Sequence, residues 1–388
     1  CALPILLTRL AIFNIIFILI ISGCTTSSVS ETIAAHLESE TQEEASQVWQ
    51  TPPALDAPNG LRPCCAFGYN LKVKAWGIPI PFYRIDNIVE ASTLGDHRYN
   101  DNFWLGTAAV LGIGSEKSGI VYSHKGGFLD IAHIRDTADY TYYLFSHIYP
   151  KLGQEWTLTL SDELAQRKIH FNRFTPPSSD RQRYTLSAYL AARLAYRLAV
   201  WHEIAQWYGY RSVAGFSEGI SAFSPEDLYS NLMGARLSLT LILNGDATNL
   251  EHYNQSMQRI IPSALAQLEA QPRQATQQWF DLIDGQWWNS QERVPDKFLV
   301  LKRDYHLADK RYPVLPFGET TPPHYLTLPD VYAGYSLKQL AEFQLWPTKQ
   351  MANLPVPKTY WKEADFADLA EKARQIDQKT RPKTTKND

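Results

Sequence analysis

The sequence contains few cysteines, almost no surplus of either charge and little long apolar chain. Four cysteines among 388 residues exclude a scaffold held together by disulfides. The 37 basic and 40 acidic residues give a formal net charge of -3, so the chain lacks the basic surplus of a nucleic-acid-binding protein. Hydrophobic residues nevertheless make up 45% and aromatic residues 12%, which supports a sizeable core and excludes a mainly disordered chain.

The one long apolar run, residues 10–22, predicts an export signal. It is shorter than the roughly 20 residues of a membrane-spanning helix and suits the apolar part of a signal peptide. It ends in residues 21–24 (ISGC), which resemble the lipobox of bacterial lipoproteins, so we expect residues 1–23 to be removed and Cys24 to be acylated. Since Thr25 is not the aspartate that retains such proteins in the inner membrane, we expect a lipid-anchored envelope protein at the outer membrane, facing the periplasm. The alternative is an uncleaved N-terminal anchor helix.

Composition divides the rest of the chain into three parts. Residues 24–60 are polar and acidic, which predicts a flexible tether. Residues 61–330 are expected to form one globular domain, and residues 331–388 a C-terminal helical extension with a charged tail. Short strands broken by prolines come first and long helical patterns follow. The predicted fold class is therefore α+β, with a small N-terminal β region followed by a mainly helical body.

Local patterns predict several elements of this domain. Alternation at period two over residues 156–160 and 168–171 predicts a β-hairpin. Residues 184–208 form one long helical pattern. Residues 224–227 (SPED) predict another helix start, because Ser224 can cap it and the acidic pair suits the positive end of the helix dipole. Further helices are predicted over residues 131–149, 250–270 and 362–379.

The first segment with chemical potential is residues 126–139 (GGFLDIAHIRDTAD). Steps of three place Asp130, His133 and Asp136 near one face of a helix. An imidazole with carboxylates at this spacing can bind a divalent metal, or act as a base with an orienting acid. The structural alternative is a capped helix start whose acids are neutralised by Arg135.

The second segment, residues 201–207 (WHEIAQW), lies on the long helix. In zinc metallopeptidases a His-Glu pair is followed by a second histidine four residues after the first, and the glutamate is the general base. Here Gln206 occupies that position, so a second ligand must come from elsewhere, and His133 and Asp136 are the candidates. The alternative is that His202 and Glu203 are a buried pair that ties the helix to a neighbour.

A third segment, residues 62–68 (RPCCAFG), offers a thiol. Cys65 with His133 as base and Asp136 behind it would form a nucleophilic system of the papain type, by analogy of fold alone. The alternative is that Cys64 and Cys65 are small buried residues.

A fourth segment, residues 216–231, enters the helix predicted from residue 224. Glu218 could add a carboxylate to a site, and Asn231 a hydrogen bond. The helix cap alone accounts for residues 224–227.

Together these segments resemble a family of bacterial lipoproteins known only as a domain of unknown function. The shared motifs are CCAFG, GGFLDIAHIRD, WHEIAQWYG and FSPEDLYSN, and the resemblance covers residues 61–330. It implies a secreted, lipid-anchored protein whose polar motifs converge in one cleft. It implies no activity, so the chemistry has to come from the residues.

The residues favour a metal-dependent, hydrolase-like site acting on envelope peptide or acyl substrates. We expect zinc or another divalent metal, held by His133, His202 and a carboxylate, Asp136 or Asp130. Glu203 would activate the metal-bound water, and His133 is the other catalytic candidate.

Two other functions stay open. The first is a papain-like cysteine hydrolase or acyltransferase that uses Cys65 and His133. The second is a non-enzymatic envelope binding or assembly lipoprotein, whose polar motifs only hold the fold together. In each case the expected partner is the membrane, reached through the N-terminal lipid, and no nucleic acid is expected.

Overall fold

The computed structural model describes residues 52–58, 62, 66–75, 77–100, 116–211, 218–350 and 354–381. Short strands lie mainly in the N-terminal part and a helical body follows, so the predicted α+β class is confirmed. The helices are α1 (Ile131–Ile148), α2 (Asp180–Trp207), α3 (Asp227–Asn244), α4 (Leu250–Gln267), α5 (Arg273–Leu282), α6 (Leu337–Leu340) and α7 (Phe366–Thr380). The strands are β1 (Leu71–Ala75), β2 (Ile78–Ile85), β3 (Ile120–Ser123), β4 (Gly127–Asp130), β5 (Trp156–Thr159), β6 (Gln166–Phe171), β7 (Arg293–Val294), β8 (Lys310–Arg311), β9 (Leu326–Thr327), β10 (Val331–Tyr332), β11 (Tyr335–Ser336) and β12 (Ala341–Trp346).

Helices α1, α2 and α3 pack against one another and form the centre of the body. Nearly every side chain of α2 from Tyr184 to Gln206 is buried, and most of these side chains are apolar. A helix that is buried on every face has to be enclosed by its neighbours, which agrees with the central place of α2. The predicted long helix is confirmed, although it begins earlier, where the Ser179 hydroxyl accepts a hydrogen bond from the Gln182 N–H.

The predicted cap of α3 is wrong in one respect. The helix begins at Asp227 with Glu226 in the N-cap position, and no side chain caps it. The Ser224 hydroxyl is buried and finds no partner among the described atoms. Instead the Ser224 N–H donates to Asp227 Oδ2 at 3.1 Å, so an acidic side chain stabilises the turn that Ser224 was expected to cap.

The described strands form several separate small sheets. Strands β1 and β2 are antiparallel, with β7 parallel to β1 on its other side. The predicted hairpin is confirmed as β5 and β6, and β12 pairs with β6 on the opposite edge. Helix α7 packs against α2, so the chain after residue 330 joins the same body. Among the described helices, none combines the length and the apolar character needed to cross a membrane.

The β3–β4 hairpin leads directly into α1. The two strands are antiparallel, Gly126 is the last residue of the turn between them, and Gly127 is the first residue of β4. Gly127 has a φ of 65°, which a glycine adopts without strain. Asp130 is both the last residue of β4 and the N-cap of α1. The turn therefore fixes where the first polar residue of the site stands.

Candidate functional site

Asp130 and His133 meet on the first turn of α1. As N-cap, Asp130 accepts a hydrogen bond from the Ala132 N–H through Oδ1 at 2.6 Å. Its other oxygen, Oδ2, lies 3.2 Å from Nδ1 of His133. Asp130 is fully buried and His133 is 7% exposed. Capping thus explains only one oxygen of Asp130, and the second faces the imidazole.

Two carboxylates from the neighbouring helices approach the other side of the same imidazole. Oε1 of Glu203, on α2, lies 3.7 Å from Nε2 of His133. Oδ1 of Asp227, at the start of α3, lies 3.7 Å from the same nitrogen. Both carboxylates are completely buried. Three consecutive helices of the central body therefore each contribute a carboxylate to the surroundings of one imidazole.

Asp130, Glu203 and Asp227 are held in the same way. Each has one oxygen bonded to a main-chain N–H and the other directed at the imidazole. Glu203 accepts from the Phe223 N–H through Oε2 at 2.6 Å, as Asp130 does from Ala132 and Asp227 from Ser224. The main chain thus fixes the carboxylates before any ligand arrives, as preorganised sites require.

Asp130, His133 and Asp227 form a buried group that can hold a metal ion. One donor atom from each lies within 4.8 Å of the others. Two donor atoms of a tetrahedral zinc ion lie about 3.4 Å apart, because each bond measures about 2.0–2.2 Å. The donor atoms therefore have to approach one another by up to about 1.4 Å to share an ion.

A fourth carboxylate, Glu226, is buried beside this group. It precedes Asp227 in the chain and is 1% exposed, and neither of its oxygens has a hydrogen-bond partner among the described atoms. Burial, together with the negative charges of Asp130 and Glu203, raises the pKa of Glu226 well above that of an exposed glutamate. Asp130, His133, Glu203, Glu226 and Asp227 are called the His133 cluster below.

The His133 cluster is short of positive charge. Among the described residues, no lysine or arginine forms an ion pair with Asp130, Glu203 or Glu226. Arg303 is close enough to interact with the cluster, but its NH2 donates to the carbonyls of Gly219 at 3.2 Å and Ile220 at 3.1 Å. Buried carboxylates without cations are costly, so the cluster differs from an ordinary ion-pair network.

Asp136 lies in such an ion-pair network, one helical turn beyond His133. Its Oδ1 is 2.7 Å from NH1 of Arg62, and its Oδ2 accepts the Arg62 main-chain N–H at 2.9 Å. Arg62 also pairs with Glu116 and Asp139, and Arg135 donates to Glu116 at 2.5 Å. The structure therefore places Asp136 with Arg62, and Arg135 does not neutralise Asp130.

His202 is also engaged elsewhere. Its Nδ1 lies 2.5 Å from Oε1 of Glu163, and its Nε2 lies 2.8 Å from Nε2 of Gln206. Burial alone would lower the pKa of His202, but the charge and hydrogen bond of Glu163 outweigh it and raise that pKa. With Glu163 at Nδ1 and the Gln206 amide at Nε2, both ring nitrogens of His202 are occupied and neither is left for a metal. Gln206, which breaks the zinc-peptidase pattern, is thus a partner of His202.

The two sequence motifs nevertheless meet at one cavity. His133 and Asp136 line it from α1 and His202 lines it from α2, in a volume of about 40 Å³. Asn231 of α3 closes another wall, and its Oδ1 accepts from the Thr137 hydroxyl at 2.7 Å. The cavity is large enough for ordered water beside His133.

Sequence reasoning missed two members of the His133 cluster, Glu226 and Asp227. The sequence does contain a sign of them, because two adjacent acids follow Ser224-Pro225. A helix start already accounts for acids at these positions through the helix dipole, so they did not indicate a site. Glu218 lies beside Gln206, at 3.4 Å from its amide nitrogen. Cys65, the candidate nucleophile, lies outside the described residues, as does Cys24.

Comparison with known proteins gives a family and no activity. The profile of DUF4056, described as a protein of unknown function, matches residues 52–316. The comparisons with curated proteins and with solved structures found no match.

Proposed function

The chain belongs to DUF4056, a family of unknown function, and from the geometry of the His133 cluster we propose a metal-dependent hydrolase-like site in a lipid-anchored envelope protein. The observation that carries this proposal is the arrangement of Asp130, Glu203 and Asp227 around one imidazole. In each carboxylate one oxygen accepts a main-chain N–H and the other faces the same imidazole, Asp130 at Nδ1 and the other two at Nε2.

The ligand set suggests which ions suit the site. Histidine and carboxylate donors bind zinc and other first-row divalent ions, whereas a site made of oxygen alone would favour calcium or magnesium. We assign Asp130, His133 and Asp227 as ligands, because their donor atoms are the ones that approach within 4.8 Å of one another. His202 and Asp136 are left out, since Glu163 and Arg62 already hold them.

Glu203 is the proposed general base. Its Oε1 faces the cluster at 3.7 Å from His133 Nε2, and that oxygen has no other partner among the described atoms. A divalent ion, when bound, would lower the pKa of a water and polarise a carbonyl. Glu203, held through Oε2 by the Phe223 N–H, is placed to accept a proton at Oε1. The expected substrates are the peptide or acyl bonds of envelope material.

The envelope location rests on the sequence alone. Residues 21–24 (ISGC) support acylation of Cys24, and the apolar run before them supports export. An extracytoplasmic enzyme of this kind meets peptidoglycan and lipid, which contain the amide and ester bonds that the proposed chemistry cleaves.

The thiol alternative has one supporting contact. Arg62, three residues before Cys65, donates its N–H to Asp136 at 2.9 Å, which ties this part of the chain to the turn after His133. In the metal proposal Cys65 has no role, so the two functions predict different labelling by iodoacetamide at neutral pH.

A matched pair of histidine variants tests the metal site. His133 and His202 line the same cavity, so His133→Gln and His202→Gln disturb it similarly. We expect the full chain in detergent, stripped with a chelator and dialysed against zinc, to bind the ion. His133→Gln should weaken binding at least tenfold, whereas His202→Gln should retain it.

The base is tested with the same samples. Glu203→Gln should keep the zinc but lose hydrolysis of a chromogenic acyl ester or of crosslinked peptidoglycan fragments, by about 100-fold or more. If the wild-type chain binds no metal and Cys65 reacts rapidly with iodoacetamide, the thiol alternative replaces the proposal. If there is no metal and the thiols do not react, a binding or assembly protein is left.

A further inference from the structure

The first proposed metal ion leaves part of the His133 cluster unexplained. An ion on Asp130, His133 and Asp227 gives no partner to the two oxygens of Glu226, a side chain that is 1% exposed. With the four carboxylates ionised and the imidazole neutral, one divalent ion would also leave two negative charges in a buried site. Burial of uncompensated charge is costly, so either protons or another cation must balance them.

Glu226 is attached to the main chain beside Asp130. The Ser230 hydroxyl donates to the carbonyl of Glu226 at 2.7 Å and accepts the Asp130 N–H at 2.9 Å. One side chain thus joins the two main-chain segments from which these carboxylates extend. Oδ2 of Asp130, which faces His133 Nδ1 at 3.2 Å, is the oxygen that its capping bond does not use.

We propose that the His133 cluster holds a second divalent cation, bound by Glu226 and sharing Asp130 with the first. This inference rests on the proposed function, because the shared carboxylate belongs to the first site. Two divalent ions balance the charge of the four carboxylates. The second ion also gives the oxygens of Glu226 the partner that the described residues do not supply. Sites with two metals typically place them about 3.5–4 Å apart and use both to stabilise the attacking and leaving oxygens.

The number of zinc ions bound per chain distinguishes the second cation from the proposed function on which it rests. The full chain in detergent is stripped with a chelator, and zinc binding is then measured by equilibrium dialysis and by calorimetry. We expect two zinc ions per wild-type chain and one per Glu226→Gln chain. The matched control is Glu342→Gln, a glutamate that pairs with Lys362 away from the cluster, and this variant should bind two.

Each other result has a definite meaning. One zinc per wild-type chain would keep the proposed function and overturn the second cation, with Glu226 held neutral by a proton. No zinc would overturn both. If the Glu226→Gln chain still bound two zinc ions, Glu226 would not be a ligand of the second cation. If circular dichroism shows that Glu226→Gln is unfolded, Glu226→Asp is measured instead, and a loss of less than tenfold in the weaker affinity would overturn the assignment.

Discussion

Gly234 of α3 lies directly against the main chain of Ile134 in α1. A Cβ atom added to Gly234 would stand 2.1 Å from the Ile134 carbonyl oxygen and 2.8 Å from its carbonyl carbon. No real Cβ contact is that short, so the two helices can approach this closely only because position 234 has no side chain. Ile134 follows His133, and Asp227 lies two turns before Gly234, so this contact sets the distance between two proposed ligands.

We expect Gly234→Ala to destabilise the protein and to weaken metal binding together. The added methyl group has to push the α1 and α3 backbones apart, at a cost of about 1–3 kcal/mol or more. Chemical denaturation measures the first effect and zinc dialysis the second. A variant with unchanged stability and unchanged zinc affinity would show that Gly234 does not lie against the Ile134 main chain.

The His133 cluster should be a source of instability when no metal is bound. Glu226→Gln replaces a buried acid with an amide that can donate to neighbouring carboxylates, so we expect the metal-free protein to gain about 1 kcal/mol. Thermal unfolding in chelator provides the measurement. The order should reverse in zinc, where the wild-type chain gains the free energy of binding. If Glu226→Gln is less stable in chelator, the glutamate contributes to the fold itself.

Glu116, which pairs with Arg62 and Arg135, should make stability fall in acid. Burial by itself would raise the pKa of Glu116, but the charges of Arg62 and Arg135 outweigh it and lower that pKa to about 2. A carboxylate with a lowered pKa stabilises the fold above its unfolded-state pKa, and this stabilisation is lost as the pH falls from about 4.5 to about 2. The loss amounts to roughly 3 kcal/mol.

Urea unfolding at a series of pH values tests this dependence. Glu116→Gln should be less stable than the wild type at neutral pH and should vary less with pH in the acidic window. If both proteins lose stability equally between pH 4.5 and 2, the acid dependence does not come from Glu116.

Acylation of Cys24 is the prediction that concerns location. Cys24→Ala should block lipid attachment and leave the precursor unprocessed, because the modified thiol is absent. Metabolic labelling with palmitate and detergent-phase partitioning follow the change. Unchanged partitioning of the variant would remove the lipobox argument and favour an uncleaved anchor helix.

Much of the secondary structure follows from local pattern. The β5–β6 hairpin alternates at period two, and α2 carries a continuous apolar pattern, so both are predictable from neighbouring residues. The start of α3 is less so. Ser224 fits a cap in sequence, but its turn is stabilised by Asp227 instead. The other oxygen of that carboxylate faces His133 across the helix interface, a contact that the local sequence does not contain.

The candidate site divides along the same line. The spacing of Asp130 and His133 is local, since three residues on a helix return to one face, and the sequence by itself determines that they meet. Which other acids join them depends on packing between segments. Asp136 has the same spacing as Asp130, yet it pairs with Arg62, which is 74 residues away.

Only the tertiary structure decided that Asp136 and His202 would pair with Arg62 and Glu163, while the oxygens of Glu226 would have no hydrogen-bond partner among the described atoms. Helical periodicity determines which residues share a turn, because it acts over a few residues. The charge that reaches each carboxylate comes from whichever segment packs against it, and for Asp136 and His202 those partners are Arg62 and Glu163. Electrostatic balance in a buried site is therefore a property of the packed helices, and local spacing does not contain it.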